Sequence, residues 1–213
     1  MLSQPPEKGV LIDLWGTILF PILSLDDYAR ERSKKMHSVL EELGIETTEQ
    51  AVYEAYNAVR DLTSKIRSIT MIELPLEGEV VLILDRLGIE PKEEIVEKIS
   101  EAFIHPYFSF VKPAPGIRDL LIRLKDAGFR LILASNTIST THSAKLLQLH
   151  GLYELFDYLA FSDSIGFRKP HPRFFSHIVH VTGIVPTKSF FLGDEEIDIR
   201  AVSYTHLTLP TIY

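Results

Sequence analysis

Four groups of polar residues in this chain stand where chemistry is commonly done, each after a short apolar run. Asp13 follows Gly9-Val10-Leu11-Ile12, Ser135-Asn136 follows the run 129–134, and Gly193-Asp194 follows 189–192. A fourth group, Phe167-Arg168-Lys169-Pro170, lies in the loop after the run 158–161. An acid at the end of a buried strand is a nucleophile, a metal ligand or both; taken alone, it is also a common turn former. Ser135-Asn136 can equally cap the next helix, as can Thr140 or Thr141, and a lysine beside a proline is often a solvated loop cation. As a set, these residues have a definite chemistry. Two carboxylates offer hard oxygen donors to a divalent cation, while a hydroxyl and an ammonium can neutralise the oxygens of a phosphoryl group.

The flanking patterns indicate what must position these groups. From about residue 25 to residue 103 the apolar spacing is helical: Met36, Val39, Leu40 and Leu43, then Val52, Ala55, Tyr56, Val59, Leu62 and Ile66, then Ile95, Val96, Ile99 and Phe103. Thr47 with Gln50 predicts a capping box, Gly44 and Gly88 predict helix ends, and Pro91 suits a first helical turn. The run Val80-Val81-Leu82-Ile83-Leu84 reads as a buried helix, because Glu79, Asp85 and Arg86 flank it and Leu87-Gly88 follows. After Lys112, strand and helix alternate. Pro115-Gly116 opens a helix with Ile117, Leu120, Leu121 and Leu124 on one face, and Gly128 closes it. Strands are then expected at 129–134, 158–161 and 189–192, with helices around 144–147 and at 172–181. With the first strand at 10–12, this predicts an α/β fold: a parallel sheet with helices on both faces, carrying an all-helical insertion after its first strand. In such a sheet the residues beyond the strand C-termini converge on one crevice.

Composition narrows the function classes. A chain of 213 residues, 46% hydrophobic, can bury a substantial core. Its net charge of −7 argues against nucleic acid or an anionic membrane as the main partner. With no cysteine, a disulfide framework, a thiolate metal site and a thiol nucleophile are all excluded. The eight histidines lack metal-ligand spacing, and His171 and His177 read as surface or packing residues. No apolar run approaches the roughly 18 residues of a membrane span, so a cytoplasmic protein is expected.

The polar groups also resemble, in order, the four motifs of the haloacid dehalogenase-like (HAD) hydrolase superfamily. Its first motif, Asp-x-Asp-Gly-Thr, is similar to Asp13-Leu14-Trp15-Gly16-Thr17, and its second to Ser135 with Asn136. The third resembles Arg168-Lys169-Pro170-His171-Pro172, and the fourth Gly193-Asp194-Glu195-Glu196-Ile197-Asp198. The resemblance implies a Rossmann-like core from 1–20 and 109–213, with a helical cap at 21–108 that closes over the crevice and selects the substrate. It implies a hydrolase, here a phosphatase of a small phosphorylated metabolite, as monomer or homodimer. Asp13 would be the nucleophile and form an aspartyl phosphate. Thr17, Ser135, Asn136 and Lys169 would bind the phosphate, with Ser135 and Lys169 acting in catalysis. Mg²⁺ would be held by Asp13, the backbone carbonyl of Trp15 and Asp194. Asp198 and Glu195 would orient the metal's waters or Lys169, although Glu195 and Glu196 also suit a helix N-terminus.

Trp15 departs from the family pattern. Family phosphatases carry a second Asp there, which protonates the leaving oxygen and then activates water; an indole N–H can do neither. Loss of a general acid-base costs about 10²- to 10⁴-fold in rate. Either the leaving group needs no proton, as in an acyl phosphate, or an acid comes from the cap, or the reaction is carbon–halogen displacement. Family dehalogenases have an aromatic residue at this position, but they act without metal and lack the Gly-Asp pair retained at Gly193-Asp194, so Mg²⁺-dependent phosphoryl chemistry ranks first. A phosphonatase would need a Schiff-base lysine, for which Lys34, Lys35 and Lys65 are candidates. A reading of another class is a phosphate-binding or regulatory domain with weak catalysis.

The end of the chain reads differently. The segment 202–213 is neither amphipathic helix nor clean strand, and Val202-Ser203-Tyr204-Thr205-His206-Leu207 back-translates to a sequence resembling the end of a transposon-type adapter. It is a candidate non-native tail standing where the family has a fifth strand, and the sheet edge left open would lower stability.

Overall fold

A computed structural model describes residues 8–194 of the chain. Within these residues the chain divides into two compact units, one formed by 8–20, 71–73 and 112–194, the other by 21–70 and 74–111.

The first unit is built on four parallel strands. β1 (Gly9–Ile12), β4 (Arg130–Ser135), β5 (Tyr158–Phe161) and β6 (Phe190–Leu192) form a sheet in the order β5-β4-β1-β6. The register aligns Ile12 with Leu133 on one side and with Leu192 on the other, and Ser135 with Phe161. These strands carry continuous apolar runs because both faces are covered. Leu11, Ile132, Ala134, Ala160 and Phe191 pack with Phe174, Phe175 and Ile178 of α8 (Pro172–Thr182), while the alternate residues Val10, Ile12, Leu131 and Leu133 are fully buried too. α5 (Ile117–Asp126) packs against β4; Ile117 and Leu121 are its buried residues, whereas Leu120 is exposed. α6 (Thr140–Leu149) follows β4, and α7 (Ser162–Ile165) follows β5 directly. The four strands sit where the apolar runs predict them, to within one residue.

The second unit is a bundle of α1 (Leu25–Glu42), α2 (Glu49–Thr70), α3 (Leu76–Arg86) and α4 (Glu93–Phe110). Ser24 caps α1 by accepting from the Asp27 N–H at 3.1 Å. The expected capping box at Thr47 and Gln50 does not form. The helix starts one residue later, Thr48 Oγ1 accepts from the Ala51 N–H at 3.1 Å, and Gln50 turns to Glu54. Pro91 likewise precedes the first turn, since α4 begins at Glu93 after Lys92. Val80–Leu84 lies within α3, as its charged flanks predict.

Two differences bear on the site. The expected insertion 21–108 is interrupted, because 71–73 belong to the first unit, and α4 continues past 108 to Phe110. The chain also makes two short strands beyond those expected, β2 (Leu19–Pro21) and β3 (Val111–Pro113), which pair with each other. Among the described residues no helix is long and apolar enough to cross a membrane.

Candidate functional site

The parallel register determines which side chains meet. Asp13 is the first residue beyond β1, and its N–H donates to the Leu192 carbonyl of neighbouring β6 at 2.9 Å. Two residues after Leu192 comes Asp194. Ser135 ends β4 on the other side of β1. The C-terminal ends of three adjacent strands therefore carry one of these polar side chains each.

Gly16 makes the turn after Asp13 possible. Its φ is +78°, and a Cβ there would collide with the Asp194 carboxylate. Thr17 Oγ1 donates to Asp194 Oδ1 at 3.1 Å, so the first-motif loop fixes the orientation of that acid. Trp15 is half-buried in the same turn. Leu14 lies fully buried beneath it, its carbonyl accepting from the N–H groups of Ile18 and Leu19.

Lys169 reaches this strand end from the loop before α8. Its Nζ donates to Asp13 Oδ1 at 2.7 Å, and the two residues are 3% and 5% exposed. A buried lysine is costly unless an anion faces it, and here the anion is the expected nucleophile. Asn136, expected to bind phosphate, holds the Lys169 backbone at both ends. Its Oδ1 accepts from the Lys169 N–H at 2.7 Å, and its Nδ2 donates to the Lys169 carbonyl at 3.2 Å. Ser135 is fully buried, and its Oγ has no hydrogen-bond partner among the described residues. Buried hydroxyls normally pair, so this one still has a hydrogen bond to give.

Neither Ser135 nor Asn136 caps α6. That duty falls to Asp163 of α7, which accepts from both the N–H and the Oγ1 of Thr140 at 2.6 Å. His171 packs against the Phe167 ring at a centroid distance of 4.4 Å, and His177 Nε2 pairs with the Tyr158 hydroxyl at 2.7 Å. Glu195, Asp198 and the tail 202–213 lie outside the described residues.

Sequence reasoning missed Glu73, assigned above to the helical insertion. Its side chain is fully buried in the first unit, paired with Arg168 and accepting from Ser162 Oγ at 2.6 Å. The only local signal is the break in helical spacing between Thr70 and Leu76.

A family model for haloacid dehalogenase-like hydrolases matches residues 7–203. The chain is 27% identical over 197 residues to glyceraldehyde 3-phosphate phosphatase of Methanopyrus kandleri, covering 92% of this chain and 79% of that protein. It is equally 27% identical over 194 residues to phosphoglycolate phosphatase of Aquifex aeolicus, covering 91% and 79%. Among solved structures, a HAD phosphatase from Thermococcus onnurineus superposes with a TM-score of 0.61 at 20% identity, over 95% of this chain and 84% of that one. L-2-haloacid dehalogenase from Xanthobacter autotrophicus gives 0.60 at 16%, over 95% and 76%. Such identities speak for the fold alone, and proteins of both names share it.

Proposed function

Because the chain belongs to the haloacid dehalogenase-like hydrolases, we propose that it is a phosphatase of a small phosphorylated metabolite, with Asp13 as nucleophile. The observation that carries the reading is the buried 2.7 Å pair of Lys169 Nζ with Asp13 Oδ1, flanked on the next strand by the Ser135 hydroxyl, which has no partner among the described residues. An Asp13 oxygen attacks phosphorus and the bond to the leaving oxygen breaks, leaving an aspartyl phosphate. Water then attacks the same phosphorus, the bond to Asp13 breaks, and inorganic phosphate departs with the carboxylate restored. Lys169 and Ser135 donate to the phosphoryl oxygens, on which charge must be stabilised throughout.

The residues present suit Mg²⁺. Asp13, Asp194 and the Trp15 carbonyl offer only hard oxygen donors, and the Asp194 carboxylate fills the space above Gly16 that any other residue's Cβ would need. When bound, the cation would supply further neutralisation of phosphoryl charge. Glu195 and Asp198 are the proposed supporting acids.

Trp15 narrows the substrate. Without the usual acid, a leaving group that departs as a stable anion is favoured, as from an acyl phosphate. The test compares Mg²⁺-dependent phosphate release from acetyl phosphate, p-nitrophenyl phosphate and glycerol 1-phosphate, with Asp13→Asn as control. Turnover of the first two, at least tenfold slower release from the alkyl ester, and silence of D13N are expected. Halide release from 2-chloropropionate with no phosphate release would overturn the proposal.

A further inference from the structure

The segment Met71-Ile72-Glu73 sits between α2 and α3 in sequence, yet it pairs with the loop that presents Lys169. Ile72 and Phe167 form an antiparallel bridge. The Arg168 N–H donates to the Met71 carbonyl at 2.9 Å, and the Glu73 N–H donates to the Gly166 carbonyl at 3.2 Å. These bonds hold the backbone on the N-terminal side of Lys169, while the Asn136 amide holds its own N–H and carbonyl.

The Glu73 side chain extends this grip to a second loop. The Arg168 guanidinium pairs with Glu73 Oε2, and Ser162 Oγ donates to the same oxygen at 2.6 Å. Ser162 Oγ in turn accepts from the Thr137 N–H at 2.9 Å, two residues beyond Ser135. One carboxylate with no solvent exposure thus ties the Lys169 loop to the loop that follows Ser135. A buried acid in a turn would be an expensive way to hold a surface loop; Arg168 and Ser162 offset its desolvation only while all three stay in place.

We propose that Glu73 and Arg168 are positioning residues, acting through the backbones on which Lys169 and Ser135 stand. The inference rests on the phosphatase reading for its kinetic consequence. It adds that catalysis depends on a residue from the stretch between two helices of the other unit. Neither residue touches substrate; the effect is geometric, and displacements of about 1 Å in such supports can cost around 10²-fold in rate.

Full-length E73A, E73Q, R168A and the E73A/R168A double variant would be assayed on acetyl phosphate, with inorganic phosphate as competitive inhibitor and thermal unfolding in parallel. Expected are a fall in kcat of about 10²-fold for E73A and R168A, a weaker phosphate Ki, and substantial recovery in E73Q, whose amide oxygen still accepts from Ser162. The double variant should be no slower than either single one, because one linkage is broken in each. Hydrogen exchange at 166–169 should rise in E73A, a readout that requires no turnover. Unchanged kcat and Ki in a destabilised E73A, or multiplicative losses in the double variant, would overturn the inference. A wild type inactive on every phosphate ester would sink the phosphatase reading, and exchange at 166–169 would still decide whether Glu73 holds the loop.

Discussion

In the first unit, the buried ions Asp13 and Lys169 come from loops 156 positions apart and meet beyond the end of a strand. In the helical unit Arg60, Thr63 and Arg67 descend successive turns of α2 and converge on Glu79 of α3, which has no exposure. Arg60 Nη1 reaches both carboxylate oxygens at 2.9 Å and Thr63 Oγ1 reaches one at 3.0 Å. The helical cluster closes on itself: three donors from regular backbone surround one acceptor, with Arg67 also donating to the Leu74 carbonyl at 3.0 Å. At the strand ends the set is open, since Ser135 Oγ has no partner among the described residues. Buried charge alone therefore does not identify a site. What sets the proposed site apart is its unfinished hydrogen-bond inventory at the strand ends, because a complete network has nothing left with which to bind.

Replacing Lys169 with Met should separate the two regions most widely. Removing the ammonium from the phosphoryl oxygens is expected to lower kcat by about 10²- to 10³-fold, the usual effect of losing one preorganised donor. Steady-state kinetics on acetyl phosphate would measure it, and a loss under threefold would make Lys169 structural.

Next in size is Glu79→Ala, with the opposite signature. It strands Arg60 and Arg67 near the protein interior, and breaking a buried pair in this way costs about 3–5 kcal/mol. Denaturant unfolding should show that loss, while kcat per folded molecule stays within a factor of about two. A large kcat effect would erase the distinction drawn between the regions. Ser135→Ala should behave in the reverse manner. No hydrogen bond within the described residues is lost, so stability should hold or rise slightly, yet turnover should drop by about 10-fold or more.

How far this contrast could be read from sequence depends on the range of each signal. Asp13 and Ser135 announce themselves because each directly follows an apolar run, and Asp194 because only Gly193 separates it from one; the sheet topology then places all three at the same end of adjacent strands. Lys169 is legible from its proline-flanked loop and its place in the motif order. Glu73 is not, because its partners Ser162 and Arg168 lie 89 and 95 positions away and the break in helical spacing around it does not single it out. The resemblance implies phosphate binding for Asn136, but spacing cannot show that both ends of its amide reach the backbone of Lys169, 33 positions away. The shift of the α2 cap from Thr47 to Thr48 is of the same kind: two threonines offer equal hydroxyls, and packing of Val52 and Ala55 sets the phase.

Arg32 supplies the finest test, since it is a buried cation with an incomplete inventory. Its Nη1 donates to the Tyr56 hydroxyl at 2.7 Å, but Nε and Nη2 are sealed from solvent without partners among the described residues. Burial works against the charged form, yet the neighbouring hydroxyls of Tyr107 and Tyr56 raise its pKa above the ordinary arginine value. The guanidinium lies over the rings of Tyr107 and Phe103 at 4.4 and 4.8 Å. Ring faces stabilise the cation by about 0.5–2 kcal/mol each without satisfying its N–H edge. Its place on the regular backbone of α1 distinguishes it from Ser135, at a strand end, and from Lys169, in a loop. Arg32→Met keeps most of the packing and removes two unsatisfied donors, so the lost ring contacts and the relieved desolvation should nearly cancel. Unfolding free energy is expected to change by about 1 kcal/mol or less, and kcat by less than about threefold. The same substitution that silences the chain at Lys169 would then pass almost unseen at Arg32; if R32M instead loses turnover at full stability, the open edge of Arg32 takes part in substrate binding and the helical unit holds a site of its own.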